Sequence, residues 1–216
     1  MATDAGSVSI LILLDLSSAF DTISHSILIS RLSALGISGT ALAWFTSYLS
    51  DRQHYITIRQ AKSSTAPVSH GVPQGSVLGP LLFNIYMSPL GKIIHCHDFN
   101  FHCYADDTQL YISFRHYHPF PTNSISACID DINAWMTSNL LKLNTDKTDV
   151  LLVGSPKNVA PFCTDTVNIS GILVRPSTTV KNLGITFDSY LSFLPHISSL
   201  TKSAFYHLRN IVYVPS

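Results

Sequence analysis

Apolar residues run almost without a break from Val8 to Leu16, and one carboxylate, Asp15, stands near the end of that run. A run of this length predicts a strand buried on both faces. Ile27, Leu28, Leu32 and Leu35 recur at helical spacing over 26–35, and Gly36 supplies a stop. A second helix is predicted over about 40–49, with Trp44, Phe45, Tyr48 and Leu49 as its apolar stripe. The alternation through Tyr55, Ile56, Thr57 and Ile58 predicts a strand over 54–59. A polar loop over 63–69 leads into Gly71-Val72-Pro73-Gln74-Gly75-Ser76, where two glycines and a proline restrict the backbone path. Pro80 is placed to open a helix carrying Leu81, Leu82, Ile85, Tyr86 and Met87.

The second half reads differently. Residues 99–114 predict a hairpin whose acidic tip is Asp106-Asp107. Thr122 or Asn123 can cap a long helix with Ile125, Ile129, Ile132, Met136 and Leu140 on one stripe; Asp130 and Asp131 lie off it. Strands follow at 150–153, 167–174 and 180–187, with Asn182 to Ile185 reading as a surface hairpin. Pro195 starts a last helix bearing Ile197, Leu200, Ala204, Leu208 and Ile211. Hairpins mixed with crossovers predict an α+β fold, an antiparallel-rich sheet with helices packed on one side, rather than a doubly wound parallel sheet.

Composition sharpens this picture. The 216 residues are 46% hydrophobic, enough for a real core, and only 12% charged. Thirteen basic residues balance thirteen acidic ones. A self-sufficient nucleic-acid binder usually carries a basic surplus, so either nucleic acid is not the partner or basic parts lie outside this chain. Cys96, Cys103, Cys128 and Cys163 form no C-x-x-C pair and read as reduced thiols of an intracellular protein. The cluster His95, Cys96, His97, His102 and Cys103 has metal-binding residue types but no zinc spacing, and it reads as ordinary strand and loop. The apolar run 10–14 is too short to span a bilayer, and neither a leader nor a membrane anchor is expected. Nucleus and cytoplasm are not distinguished.

Asp15, Asp106 and Asp107 each adjoin an apolar strand. An unpaired carboxylate there is expensive, and adjacent acids disfavour each other's charge. A divalent cation relieves both penalties, and hard carboxylate oxygens suit Mg²⁺. On residue type alone, an Asp pair at a hairpin tip equally satisfies local backbone donors.

Three stretches, in order, change the balance: Leu14-Asp15-Leu16-Ser17-Ser18-Ala19-Phe20-Asp21-Thr22; His70-Gly71-Val72-Pro73-Gln74-Gly75-Ser76-Val77-Leu78-Gly79-Pro80; and Tyr104-Ala105-Asp106-Asp107. Together they resemble the reverse transcriptases of non-LTR, LINE-like retrotransposons. Leu143-Asn144 with Lys147-Thr148, and Asn182-Leu183-Gly184-Ile185, resemble later motifs of that family. Ser24 stands where the family often has an acidic residue.

The resemblance implies a polymerase palm over 1–190, with 191–216 a terminal helix leading toward a truncated thumb or connection. Asp15, the Leu16 carbonyl, Asp106 and Asp107 would hold Mg²⁺, or Mn²⁺ in its place. Phe20, Gln74, Gly75 and Lys147 would line the nucleotide site, Phe20 rejecting a ribose 2′-hydroxyl. Asn182, Leu183 and Gly184 would form the primer grip. The partners would be an RNA template, a DNA primer and deoxynucleoside triphosphates, and the reaction RNA-directed DNA synthesis. The family's basic fingers region is largely missing before Asp15, which matches the neutral charge and predicts low solubility of the isolated chain. The alternative is a non-catalytic retrotransposon remnant, or a weak interaction module for nucleic acid or protein.

Overall fold

The computed structural model describes residues 6–73 and 75–212. Strand β1 (Ser7–Leu14) is followed by the short helix α1 (Ala19–Thr22), then α2 (His25–Ala34) and α3 (Gly39–Leu49). Four two-residue strands come next: β2 (Gln53–His54), β3 (Thr57–Ile58), β4 (Ala61–Lys62) and β5 (Ala66–Pro67). Helices α4 (Gly79–Met87) and α5 (Leu90–Cys96) precede the hairpin of β6 (Asn100–Tyr104) and β7 (Asp107–Arg115). Helix α6 (Thr122–Ser138) leads to β8 (Asp149–Val153), and α7 (Pro156–Val159) follows. Two hairpins, β9 (Val167–Ile169) with β10 (Ile172–Val174) and β11 (Thr179–Asn182) with β12 (Ile185–Asp188), lead to α8 (Leu194–Val212).

The central sheet has four strands in the order β6-β7-β1-β8, and every neighbouring pair is antiparallel. Alternation along β1 sends Val8, Ile10, Ile12 and Leu14 to one face. There they join Leu28 and Leu32 of α2, Leu82, Phe83 and Tyr86 of α4, and Ile125, Ile129, Ile132 and Met136 of α6. Burying one such side chain contributes roughly 1.5–3 kcal/mol, so this face holds the layers together. The other face is covered more thinly: Leu11 and Leu13 meet Leu151, Val153, Val180 and Phe187. The expected antiparallel sheet with helices on one side is the fold observed, and β1 is enclosed by helices on one face only.

Several local expectations are corrected. The predicted strand over 54–59 is split between β2 and β3, with Tyr55, Ile56 and Ile58 left exposed. The alternation there has no core to face. The loop over 63–69 contains β5, which pairs with β2. Residues 167–174 fold back as a hairpin rather than extending as one strand, whereas 180–187 form the hairpin read at Asn182 to Ile185. Ser170 and Gly171, and Leu183 and Gly184, all have positive φ, the conformation of a tight two-residue turn. Helix α5 replaces the strand-and-loop reading at His95 and Cys96. Its Gly91 is packed so closely on Phe101 that a Cβ would lie 2.6 Å from the ring.

Helix α6 starts at Thr122 with Pro121 at its cap and has no capping side-chain bond. Leu140 lies beyond that helix in a left-handed conformation and is exposed, while the Leu141 N–H closes the helix end on the Met136 carbonyl. Of the predicted stripe on α3, Leu49 is buried in the core, Phe45 and Tyr48 pack against it half-buried, and Trp44 is exposed. The apolar stripe of α8 is exposed as well.

Candidate active site at the open end of the sheet

Asp15 and Asp107 meet because of strand register. The last β1–β7 pair is Leu14 with Thr108, so one further step sets Asp15 beside Asp107. Directly opposed residues of an antiparallel pair lie about 4.5–5.5 Å apart at Cα. Asp107 is the first residue of β7 and pairs with Tyr104, leaving Ala105 and Asp106 as the hairpin turn. Ala105 holds a φ of 54°, a left-handed conformation that an alanine adopts only under strain. Burial pushes the Asp107 carboxyl above the ordinary carboxylate range; the charges of Asp106 and Asp15 push it further, and Lys147 opposes them.

A second element holds Asp15 from the opposite side. Ser17 N–H donates to the Lys142 carbonyl and Asn144 N–H to the Asp15 carbonyl, both at 2.9 Å, forming the bridge between Leu16 and Leu143. The alternation of antiparallel pairing therefore turns the Leu16 N–H and C=O toward the β7 side. The Asn144 side-chain amide donates to Asp15 Oδ2 at 3.0 Å. Lys147 Nζ lies 3.6 Å from the same oxygen, from a 3₁₀ turn over Thr145–Lys147. Lys147 is 70% exposed, so this ion pair is worth under about 1 kcal/mol and can be given up cheaply.

These groups border one cleft of about 590 Å³. Asp15, Asp107, Lys147 and Lys181 lie on it, with Asn182, Leu183 and Gly184 at the β11–β12 turn. Of the residues foreseen for metal binding, Asp15 and Asp107 border this cleft together with the three foreseen for the primer grip, whereas Leu16 and Asp106 are not among its lining residues. Asp146 and Asp149 border it too. Asn144 and Lys181 were not foreseen as site residues, although Asn144 belongs to a family-like stretch. Lys181 had no signal apart from the hairpin it enters.

Phe20 is not among the residues bordering that cleft; it stands on α1, stacked on Phe83 with centroids 4.5 Å apart. Its carbonyl accepts from Val72 N–H at 2.9 Å, and Gly71 N–H donates to the Ile23 carbonyl at 2.7 Å. The glycine-proline segment is thereby fastened to the segment after Asp15. Gly71 has a φ of 85°, and a Cβ there would lie 3.1 Å from the Asp21 carbonyl oxygen, so glycine is required. Gly75 is exposed with a φ of 77°; Gln74 lies outside the described residues.

The donors that could receive a hard cation are the Asp15, Asp106 and Asp107 carboxylates and the Leu16 carbonyl. Oxygen donors of this kind fit Mg²⁺, and the upward push on Asp107 is the penalty a cation would relieve. Among the described residues, no three His, Cys, Asp or Glu side chains stand together at metal-holding separation. His97 instead bonds Asp131 at 2.8 Å, and His102 stacks on Tyr111. All four cysteines are free, and burial pushes the Cys128 thiol up to about 12, with Asp131 adding to the effect. No helix among the described residues is long and apolar enough to cross a membrane.

Residues 1–187 match the family described as "Reverse transcriptase (RNA-dependent DNA polymerase)". The chain is 29% identical over 205 residues to a probable RNA-directed DNA polymerase from transposon BS of Drosophila melanogaster, covering 93% of this chain and 22% of that protein. It is 28% identical over 196 residues to the RNA-directed DNA polymerase from mobile element jockey of the same species, covering 88% and 21%. The chain therefore spans about a fifth of the length of these curated relatives. Among solved structures, a telomerase from Candida tropicalis in complex with a fragment of telomeric RNA superposes with a TM-score of 0.61 at 12% identity, over 86% of this chain and 29% of that one. An apo telomerase from the same organism gives 0.59 at 13% identity, over 86% and 35%. Those two likenesses show the fold. The family match, the relatives and the palm-like sheet agree: this chain belongs to the reverse transcriptase (RNA-dependent DNA polymerase) family, among those of non-LTR retrotransposons.

Proposed function

We propose that this chain carries the polymerising core of an RNA-directed DNA polymerase, which adds deoxynucleotides to a DNA primer 3′-hydroxyl on an RNA template. The observation that supports this most is the meeting of Asp15 and Asp107 at the open end of β1 and β7, in a cleft that also holds Lys147 and Lys181. Asp15, Asp107, Asp106 and the Leu16 carbonyl would hold two Mg²⁺ ions, with Mn²⁺ as a substitute. Such ions lower the pKa of the attacking hydroxyl and offset charge on the departing pyrophosphate.

The chain's own groups supply alignment. Asn144 engages one oxygen of the Asp15 carboxylate, Oδ2, and so restricts how the group can turn. Lys147 and Lys181 place positive charge where a triphosphate tail would lie, and Lys147 gives up little by leaving Asp15. Phe20, held by Phe83, would block a ribose 2′-hydroxyl, and Gly75 with Gln74 would border the incoming nucleotide. Asn182, Leu183 and Gly184 would seat the primer end. The primer oxygen forms a bond to the α-phosphorus as the bond to pyrophosphate breaks.

Extension of a labelled DNA primer annealed to RNA, with Mg²⁺ or Mn²⁺, tests the proposal. Wild-type chain should extend the primer, and Asp106→Ala and Asp107→Asn should not. No extension by correctly folded wild-type protein, or equal extension by Asp106→Ala, would refute it.

A further inference from the structure

Helix α3 and the ribbon after it carry an exposed ladder of rings and cations that the carboxylate cleft does not use. Trp44 lies flat against Tyr48, with centroids 5.5 Å apart and planes 11° from parallel. The Arg52 guanidinium sits 4.6 Å from the Tyr48 ring centroid, and Arg52 Nε donates to the Tyr48 carbonyl at 2.7 Å. Farther along, Lys62 Nζ lies 4.9 Å from the ring of Tyr55. Trp44 is 52% exposed and Tyr55 50%.

The same stretch of sequence is basic. Residues 38–72 hold Arg52, Arg59 and Lys62 against Asp51, a net of 3 − 1 = +2, so the rest of the chain, with ten basic and twelve acidic residues, is at −2. The overall neutrality conceals a basic, aromatic segment. Arg52 also borders a second cleft of about 660 Å³, with His54, His70, Asp21 and the Gly71-Val72 backbone around it. The ladder is thus continuous with the segment fastened to Phe20.

We propose that this face binds single-stranded nucleic acid, bases stacking on Trp44 while Arg52 and Lys62 meet the phosphates. One parallel ring pair with a cation on it, and a second ring–cation pair farther along the chain, suit a strand whose bases and phosphates alternate. Stacking accepts any base, so the binding is sequence-tolerant and salt-sensitive. The exposed rings would serve equally for RNA and for DNA, since both present the same ring faces.

Trp44 and Trp135 are the two tryptophans of the chain, so Trp135→Phe isolates the signal of Trp44. In that background, fluorescence is titrated with twelve-nucleotide oligo(U), oligo(dT) and inorganic polyphosphate. Quenching by both oligonucleotides and not by polyphosphate is expected. Anisotropy of labelled oligonucleotides, read on the otherwise wild-type chain, should show Trp44→Ala weakening binding at least about fivefold, as loss of one stacked base implies. Arg52→Gln should flatten the salt dependence. If only oligo(U) or only oligo(dT) binds, the sugar is read and the sequence-tolerant stacking proposal is overturned. Equal quenching by polyphosphate, or unchanged affinity in a Trp44→Ala variant that melts like wild type, overturns it too. So does self-association that Trp44→Ala abolishes when no oligonucleotide binds. A correctly folded wild-type chain that shows this quenching but does not extend the primer counts against the polymerase proposal alone.

Discussion

Asn144 holds Asp15 at two points, its side-chain amide donating to the carboxylate at 3.0 Å and its main-chain N–H to the carbonyl at 2.9 Å. The segment between α6 and β8 therefore sets the direction of the carboxylate at the end of β1. Asn144→Ala should lower the extension rate about 10- to 100-fold and raise the Mg²⁺ concentration needed for half-maximal activity, the usual cost of losing a group that orients a ligand. A Mg²⁺ titration of extension checks this. A lower rate with an unchanged Mg²⁺ requirement would assign Asn144 to folding alone.

Asp107 is pushed up by burial and by Asp106 and Asp15, so the folded state holds its proton more tightly than the unfolded chain does. That contribution to stability is fully present below the ordinary carboxylate range and is lost as pH rises through the folded pKa. Without divalent ions, Asp107→Asn should therefore melt higher than wild type near pH 7, by on the order of 2 °C, with the gap closing as pH falls. Thermal melts in EDTA from pH 4 to 8 check the sign. An Asn variant that is less stable at pH 7 would contradict it.

Phe20 packs on Phe83 and is bound through its carbonyl to Val72, so its ring position is set by core and motif together. Phe20→Val should raise incorporation of ribonucleotides relative to deoxynucleotides on the order of tenfold or more, because room for one hydroxyl opens. Competition between the two nucleotide types on one primer measures this. Unchanged discrimination would leave Phe20 as a core residue only.

Buried Asp188 anchors the entry to α8. Burial alone would raise its pKa, but the Ser192 and Phe193 N–H groups, the Ser192 hydroxyl and the Tyr190 N–H outweigh it and hold the carboxyl below its ordinary range. Its contribution to stability is present above the ordinary carboxylate range and is lost as pH falls through the depressed value. Asp188→Ala should cost about 1–3 kcal/mol at neutral pH through the unsatisfied donors. Denaturant melts at pH 7 and pH 3 should show the difference shrinking at the lower pH.

The apolar run of β1 and the helical periodicity of α2, α4 and α6 made those elements readable from sequence, since each buries side chains in the same core, and the acidic hairpin was readable from the apolar residues flanking its tip. The hairpin over 167–174 was hidden in a stretch that reads as one strand, while the turn of the β11–β12 hairpin was legible at Asn182 to Ile185. Ser170-Gly171 and Leu183-Gly184 were their turn signals, and each glycine sits where positive φ is needed. Residues 54–59 alternate like a half-buried strand but face no partner layer, so the pattern carried no information about burial. At the site, the aspartates were visible as acids beside greasy strands. Their approach depends on the register of β1 against β7, over about ninety residues of chain, which local patterning does not encode. Asn144 was visible only as part of a family-like stretch, because an asparagine in a loop has many ordinary uses.

The sharing of divalent ions by Asp15 and Asp107 is tested most directly by anomalous diffraction from crystals grown with Mn²⁺, an RNA–DNA primer duplex and a non-reactive deoxynucleoside triphosphate analogue. Manganese peaks within coordination distance of both carboxylates are the predicted result. Well-ordered substrate with no peak there, or with the two carboxylates pointing apart, would contradict it.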